Sequence, residues 1–174
     1  SLIYGSMIGG LLVGNFPFFV NDKVITELSS ADLDNDDDNE LVFGTKNGLV
    51  YGLDHNGNQL FVYEQSDSII GFCSLSDVNN DSFFEIVFIA TNDSTSKLHI
   101  IDYLGNDLEG FPVIIPKKVI APAAIADIDM DGYSDIVFGA IDGAVYAIDI
   151  SGNIKTGFPV YALDDIYSPP TLLN

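Results

Sequence analysis

The chain of 174 residues is poor in positive charge. Its six basic residues are all lysines and arginine is absent, whereas 26 residues are acidic, so the formal net charge is −20 at pH 7. Proteins that bind nucleic acid or anionic lipid surfaces need basic patches that neutralise phosphates. The composition therefore excludes nucleic acid and anionic membrane surfaces as partners.

Cysteine and long apolar runs are also scarce. Cys73 is the only cysteine, so no disulfide can form within the chain, and its neighbours Phe72 and Leu75 predict a buried, inert thiol. No apolar run approaches the ~20 residues of a spanning helix, and residues 1–20 lack the basic start of a signal peptide. We expect no membrane insertion, and we expect the chain to be a mature piece of a longer protein.

Aspartate, by contrast, recurs in a defined loop pattern. Alternate carboxylates in a tight loop converge on one point, and a glycine at the sixth position, here Gly132, supplies the positive φ that bends the backbone around that point. Such a set of oxygens suits a hard cation such as Ca²⁺. The predicted ligands are the side chains of Asp127, Asp129, Asp131 and Asp135 and the main-chain carbonyl of Tyr133.

This loop does not belong to a helix-flanked EF-hand. The twelfth position, where an EF-hand needs a bidentate glutamate, is Phe138. The residues on both sides, 123–126 and 136–138, show no helical period and are β-branched or aromatic after the loop. The loop is therefore predicted to join two strands.

Two further copies of the loop precede it, beginning at residues 32 and 77, so that the three starts lie 45 and 50 residues apart. The first copy predicts the ligands Asp32, Asp34, Asp36 and Glu40 with the carbonyl of Asp38. The second predicts Asp77, Asn79, Asp81 and Glu85 with the carbonyl of Phe83.

The three copies are expected to differ in affinity for Ca²⁺. The third has the complete ligand spacing and a glycine. The first has Asp37 in place of that glycine, which aspartate tolerates, and is expected to bind. The second has Ser82 there and loses a charge at Asn79, so it is expected to be the weakest. Three bound Ca²⁺ would bring the net charge from −20 to −14.

Self-similarity at this period, with four short strands per unit, predicts an all-β fold of β-propeller blades. The chain resembles the FG-GAP and VCBS repeats, the blade type also found in integrin alpha-subunit propellers. The resemblance rests on the three loops with their following hydrophobic-Val-Phe, on Phe43-Gly44 and Phe138-Gly139, and on Ala121-Pro122, and it covers essentially the whole chain.

Three complete four-stranded antiparallel blades are predicted at 23–66, 67–115 and 118–160, with a partial blade at 1–20 and the inner strand of a next blade at 161–174. In this alignment Leu2-Ile3-Tyr4-Gly5 overlays Ile136–Gly139, and the outer strands end at Phe111-Pro112 and Phe158-Pro159. The favoured architecture is a segment of a larger propeller; a four-blade ring closed by the termini is the alternative. An open segment would expose sheet edges and so favour self-association.

The resemblance implies a non-catalytic extracellular module for adhesion or for recognition of a protein or glycan, with structural Ca²⁺. Its recognition face is expected opposite the metal loops, at residues 64–68, 115–118 and 162–167 and the turns 46–48 and 91–96. Two alternatives stay open: part of a larger secreted polysaccharide lyase or hydrolase, and a carbohydrate-binding module. Against catalysis, His55 and His99 lie in different repeats and no G-x-S-x-G elbow occurs.

Overall fold

The computed structural model describes residues 1–3, 7–8, 11–12 and 14–171, and in this part of the chain every regular element is a β-strand. An N-terminal unit contains β1 Leu2–Ile3, β2 Met7–Ile8, β3 Leu11–Leu12 and β4 Phe18–Phe19. The first blade contains β5 Ser29–Ala31, β6 Glu40–Gly44, β7 Leu49–Leu53 and β8 Gln59–Glu64. No helix in the described residues could cross a membrane.

The second and third blades repeat the first. The second contains β9 Ser68–Ser76, β10 Glu85–Thr91, β11 Ser96–Ile101 and β12 Val113–Ile115, and the third contains β13 Ala124–Ala126, β14 Asp135–Gly139, β15 Ala144–Ile148 and β16 Val160–Tyr161. In each blade the four strands form one sheet in chain order, and every neighbouring pair is antiparallel. The predicted all-β blade architecture is confirmed.

The hydrophobic core lies between consecutive blades. Successive side chains of a strand point to opposite faces of its sheet. In the second strand of each blade both faces are covered, so side chains on either face are buried. Phe88 packs in a cluster with the first blade, whereas Val87, its neighbour in β10, packs in a cluster with the third. Phe43 and Phe138 occupy the same place in their own blades, each facing the blade or unit before it. This packing stacks the sheets face to face.

Glycine follows phenylalanine where two blades approach most closely. A Cβ atom added at Gly44 would lie 2.6 Å from the side chain of Ile69 on the next blade. The same addition at Gly139 would collide with Ile166. The Phe-Gly pairs therefore serve close packing between adjacent parts of the chain.

The predicted ends of the outer strands are wrong. β12 and β16 begin after Phe111-Pro112 and Phe158-Pro159 rather than ending there. Both Phe-Pro peptide bonds are cis, as is the one at Phe16-Pro17 before β4. Because proline has no N–H to donate to a sheet, pairing starts only beyond it.

The alignment of the N-terminal unit also needs correction. β1 pairs directly with the outer strand β4, with Ile3 opposite Phe18, just as Val50 pairs with Tyr63 in the first blade. Leu2-Ile3 therefore takes the place of a third strand, matching Leu49-Val50 rather than Ile136-Val137. Tyr4 and Gly5, the other two residues of the predicted overlay, lie outside the described residues.

The third blade ends later than predicted, and the strand expected after it does not appear in the described residues. β16 includes Tyr161, and residues 162–171 form no strand, while residues 172–174 lie outside the described part. The inner strand β5 is short, because only Ser29–Ala31 pairs with β6.

Candidate metal centres

The three acidic loops share one backbone arrangement, in which the first carboxylate accepts hydrogen bonds from the backbone N–H groups at the fifth and sixth positions. Asp32 accepts from Asp36 at 3.1 Å and Asp37 at 3.0 Å, Asp77 from Asp81 at 3.1 Å and Ser82 at 3.0 Å, and Asp127 from Asp131 at 3.2 Å and Gly132 at 2.9 Å. The three loops are therefore folded alike.

A buried carboxylate closes each loop at the ninth position. Glu40, Glu85 and Asp135 are 2%, 1% and 1% exposed. One oxygen of each accepts from the backbone N–H at the second position, at 2.8, 2.9 and 3.1 Å respectively. Burial raises the pKa of Glu40 and raises that of Glu85 to about 7, and the neighbouring aspartates of each loop add to the rise.

The sixth position has a left-handed backbone in all three loops. Its φ is 70° at Asp37, 78° at Ser82 and 95° at Gly132, so only the third loop has the residue that adopts this conformation without strain. Asp37 adopts the left-handed conformation that aspartate was expected to tolerate, and Ser82 adopts it as well.

The first loop gathers carboxylates with no positive charge among them. Oxygens of Asp32, Asp34 and Asp36 lie within 4.8 Å of one another. Oδ1 of Asp34 is buried and has no hydrogen-bond partner in the described part of the chain. Because Ca²⁺ binds oxygens at about 2.3–2.6 Å, one ion can contact all three carboxylates. The residues of this loop fit a calcium ion.

In the second loop an amide stands among the carboxylates. Nδ2 of Asn79 donates to Asp81 Oδ2 at 3.0 Å and to Glu85 Oε1 at 3.3 Å, while its Oδ1 accepts from the backbone N–H of Asp81 at 2.9 Å. The predicted ligand oxygen of Asn79 thus faces the backbone. A cation here requires the amide to rotate and give up these bonds.

In the third loop a lysine stands among the carboxylates. Asp127, Asp129 and Asp135 place oxygens within 4.8 Å of one another. Nζ of Lys155 lies 2.6 Å from Asp129 Oδ2, 2.7 Å from Asp135 Oδ1 and 3.8 Å from Asp131 Oδ2. Burial pulls the pKa of Lys155 down, but the hydrogen bonds to Asp129 and Asp135 outweigh it and leave that pKa raised. Sequence analysis missed this residue because it lies outside the loop motif.

Other aspartates, which the sequence analysis did not single out, hold the outer turns. The outer turns join the third and fourth strands of each blade and have the sequence Asp-x-x-Gly-Asn, at 54–58, 102–106 and 149–153. In each, one oxygen of the aspartate accepts hydrogen bonds from the backbone N–H groups of the residues two and four positions later. For Asp149 both distances are 2.9 Å. The repeat of this pentapeptide in the three units was the available signal. These acids serve the fold.

Asparagines link neighbouring loops at the fourth position, where φ is again positive. Nδ2 of Asn35 donates to the carbonyl of Ser82 in the second loop, and Nδ2 of Asn80 donates to the carbonyl of Gly132 in the third, at 2.6 Å. The backbone N–H of Phe84 also donates to the carbonyl of Leu33 at 3.1 Å. The three loops therefore form a connected row.

The remaining residues singled out from sequence pack rather than form sites. Tyr51 and Tyr146 stack on Phe43 and Phe138 with centroids 5.3 and 5.5 Å apart. Tyr103 lies in the turn that begins at Asp102, and its ring stacks on that of Phe83 with the centroids 4.9 Å apart. Cys73 is fully buried, as predicted. His99 is 1% exposed, and burial lowers its pKa to about 4.

The opposite ends of the blades bring together the turns between second and third strands and the connections between blades. Ser68 Oγ donates to the carbonyl of Lys46 at 2.7 Å. Lys97 Nζ lies 2.9 Å from Asp67 Oδ2, and Lys117 Nζ lies 3.2 Å from Asp142 Oδ2. In an antiparallel meander these segments fall on the face away from the metal loops.

Comparison with known proteins bears on the fold. No protein-family model and no curated protein sequence matches the chain. Among solved structures, the chain is similar to BamB from Moraxella catarrhalis, with a TM-score of 0.66 and 20% identity over 98% of this chain and 46% of that one. It is also similar to the computationally designed Ika4 protein, with a TM-score of 0.59 and 18% identity over 86% and 80% of the two chains.

A third likeness, to BBS1N in a complex with ARL6DN, has a TM-score of 0.57 and 12% identity over 81% of this chain and 44% of that one. The chain thus spans about half the length of BamB and of BBS1N. At these identities the likeness concerns architecture alone. With the three stacked four-stranded blades, it establishes a β-propeller fold.

Proposed function

We propose that the chain is a calcium-stabilised β-propeller module that recognises a protein or glycan outside the cell, with the metal in a structural role and no catalysis. The observation that carries the calcium part is the first loop, where the buried Oδ1 of Asp34 has no hydrogen-bond partner in the described residues, beside Asp32 and Asp36. A buried carboxylate oxygen without a donor or a cation is costly, and a divalent cation removes that cost.

Calcium suits this loop better than a transition metal. The donors that the loop offers are carboxylate and carbonyl oxygens, with no imidazole or thiolate among them, and hard oxygen sets favour Ca²⁺ or Mg²⁺. The longer side chain of Glu40, one oxygen of which is held by the backbone N–H of Leu33 at 2.8 Å, leaves its other oxygen for the ion. Several carboxylates at one point favour Ca²⁺, since Mg²⁺ retains most of its water.

Structural use of calcium supports an extracellular role. Millimolar Ca²⁺ is an extracellular condition, and calcium can take the place that disulfides have in many secreted domains. With one buried cysteine, this chain has no disulfide of its own. The proposed recognition face comprises 64–68, 115–118, 162–167, 46–48 and 91–96, and its support is the polar contacts that join these segments, such as the bond from Ser68 to Lys46.

The calcium part is tested by thermal unfolding with and without a chelator. Calcium at a hundredfold excess over its dissociation constant stabilises by about 2.7 kcal/mol, or roughly 5–10 °C for a chain of this size. Asp34→Asn should abolish most of that rise. Asp93→Asn removes the same charge from an exposed turn and is the matched control. An equal response of both variants to Ca²⁺ would remove the basis of the proposal.

The recognition part needs a separate test. The intact chain, saturated with Ca²⁺, is screened on a glycan array and on an array of extracellular proteins. Charge reversals at Asp67 and Lys117, both on the proposed face, should weaken the binding of any ligand found there, whereas changes in the outer turns should leave it bound. If only changes in the outer turns abolished binding, the ligand would bind on the opposite face, beside the metal loops.

A further inference from the structure

Lys155 places a positive charge inside the third loop. Its Nζ donates to Asp135 Oδ1 across 20 residues of chain, at 2.7 Å, and lies 2.6 Å from Asp129 Oδ2. The lysine side chain is 12% exposed and that of Asp135 is 2% exposed. This is a largely buried ion pair in a defined place, unlike the mobile pairs of an open surface.

The lysine belongs to one blade and not to the repeat. In the first and second blades the equivalent residues, two positions after the asparagine of the outer turn, are Leu60 and Leu108. The backbones confirm the equivalence of the second and third blades: the N–H of Leu108 donates to Ile100 at 2.9 Å, and that of Lys155 donates to Ala147 at 2.9 Å. Among the three blades, only the third has a cation at this position.

A calcium ion and this ammonium group cannot share the loop. Calcium at about 2.3–2.6 Å from oxygens of Asp129 and Asp135 would occupy the space in which Nζ now lies. Two positive groups at that separation also repel strongly. Metal binding at the third loop therefore requires Lys155 to withdraw, which breaks its contacts with the two aspartates.

We propose that Lys155 is a tethered counter-cation that keeps the third loop folded without metal and competes with Ca²⁺ for the same oxygens, so that the first loop fills before the third. The inference rests on the proposed function, since it ranks sites that the proposed function assigns. It reverses the order expected from the loop sequences, in which the third loop had the most complete motif. Each tenfold preference for the lysine-bound form raises the apparent dissociation constant for Ca²⁺ tenfold.

The test follows two backbone amides by NMR while Ca²⁺ is added to the whole chain. The N–H of Asp37 reports on the first loop and that of Gly132 on the third, because each donates to the first aspartate of its own loop, at 3.0 and 2.9 Å. The variant is Lys155→Met. Lys117→Met is the matched control, since Lys117 pairs with Asp142 at 3.2 Å, away from the loops.

In the wild type and the control, Asp37 should respond at a Ca²⁺ concentration about tenfold or more below that for Gly132. In Lys155→Met the Ca²⁺ concentration at the midpoint of the Gly132 response should fall by about tenfold or more, and the midpoint of the Asp37 response should not change. In chelator, Lys155→Met should melt below Lys117→Met, and Ca²⁺ should remove that difference. Lys155→Gln, whose amide still donates a hydrogen bond, repeats the titration if the methionine variant does not fold.

Two results overturn the inference, and they are distinguishable. If Gly132 responds at the same Ca²⁺ concentration in wild type, Lys155→Met and Lys117→Met while Asp37 still titrates, Lys155 does not compete although the calcium site of the first loop stands. If neither amide responds in any variant, the proposed calcium function fails and the ranking of its sites falls with it.

Discussion

The first and third loops have the same backbone and opposite electrostatics. In both, the opening aspartate accepts two backbone N–H bonds, and a buried carboxylate accepts a third from the second position. The first loop leaves Asp34 Oδ1 buried without a partner in the described residues, whereas the third places Lys155 among its carboxylates. The local motif thus sets the loop's shape, and a residue far along the chain sets its need for a cation.

The acid content of the two loops sharpens this contrast. The first has six acidic residues between positions 32 and 40, and the third has four between 127 and 135. The nearest basic group to the first loop is the imidazole of His55, 3.4 Å from Asp38 Oδ2 at the loop's exposed side. Like charges at this density repel, so we expect the folded form of the first loop to depend more on added cations than that of the third.

The largest expected effect comes from neutralising the buried carboxylate that closes each loop. In chelator, Asp135→Asn should cost about 2–3 kcal/mol in the free energy of unfolding, because Lys155 would lose its most buried partner. Glu40→Gln should be neutral or stabilise by up to about 1 kcal/mol, because the amide still accepts from Leu33 and repels no neighbour.

Urea unfolding in chelator and in Ca²⁺ measures both changes. Adding Ca²⁺ should reverse the sign for Glu40→Gln, since the variant loses a ligand, and should change Asp135→Asn little. If the two variants lost the same stability in the presence of chelator, the proposed electrostatic difference between the two loops would be contradicted. Lys155 would then not neutralise the third loop.

The repeated parts of this structure were predictable from the sequence, and the contacts between repeats were not. The 45–50-residue period indicated four-stranded blades, and three four-stranded sheets follow one another along the chain. Carboxylate spacing indicated which oxygens converge at Asp32 to Asp36 and at Asp127 to Asp135. These features depend on residues close together in the chain, where backbone geometry fixes side-chain directions.

Three of the misses depend on contacts between residues far apart in the chain. Lys155 contacts Asp135, 20 residues earlier, and Asn80 contacts the carbonyl of Gly132, 52 residues later. The sequence around each residue alone does not predict these contacts. The place of β1 as a third strand depends on its pairing with β4. An alignment of the three outer turns against each other would have marked Lys155 as a lysine where the other blades have leucine.

A medium effect is expected from exchanging the residues at the sixth position of the two loops. Gly132 has φ 95° and no atom within 4 Å of an added Cβ, so Gly132→Ala tests backbone strain without a clash and should cost about 1–2 kcal/mol. Asp37 has φ 70°, and Asp37→Gly relieves both strain and repulsion, so it should stabilise by about 0.5–1 kcal/mol in chelator.

Thermal and urea unfolding of the two single variants and the double variant measure these effects. The side-chain bonds between loops join the first to the second and the second to the third, so the two changed residues share no direct bond and their effects should add. A gain from Asp37→Gly that disappears in Ca²⁺ would assign it to relieved repulsion, whereas a gain kept in Ca²⁺ would assign it to the backbone. A loss of stability in both conditions would show that Asp37 contributes a contact and would weaken the contrast with Gly132.

The smallest effect is expected from cutting the links between loops. Asn35→Ala and Asn80→Ala each remove one side-chain hydrogen bond to the next loop, to Ser82 and to Gly132 respectively. Each change should lower the free energy of unfolding by about 1 kcal/mol.

The two variants should differ in how amide exchange responds to Ca²⁺. If calcium rigidifies the first loop, the hydrogen bond from Asn35 to Ser82 should also restrain the second loop. Added Ca²⁺ should therefore slow amide exchange at Ser82 in the wild type but not in Asn35→Ala. The third loop is already held by Lys155, so Asn80→Ala should leave the Ca²⁺ dependence of exchange at Gly132 unchanged. A loss of that dependence in Asn80→Ala would mean that the third loop takes its order from its neighbour and not from its own lysine.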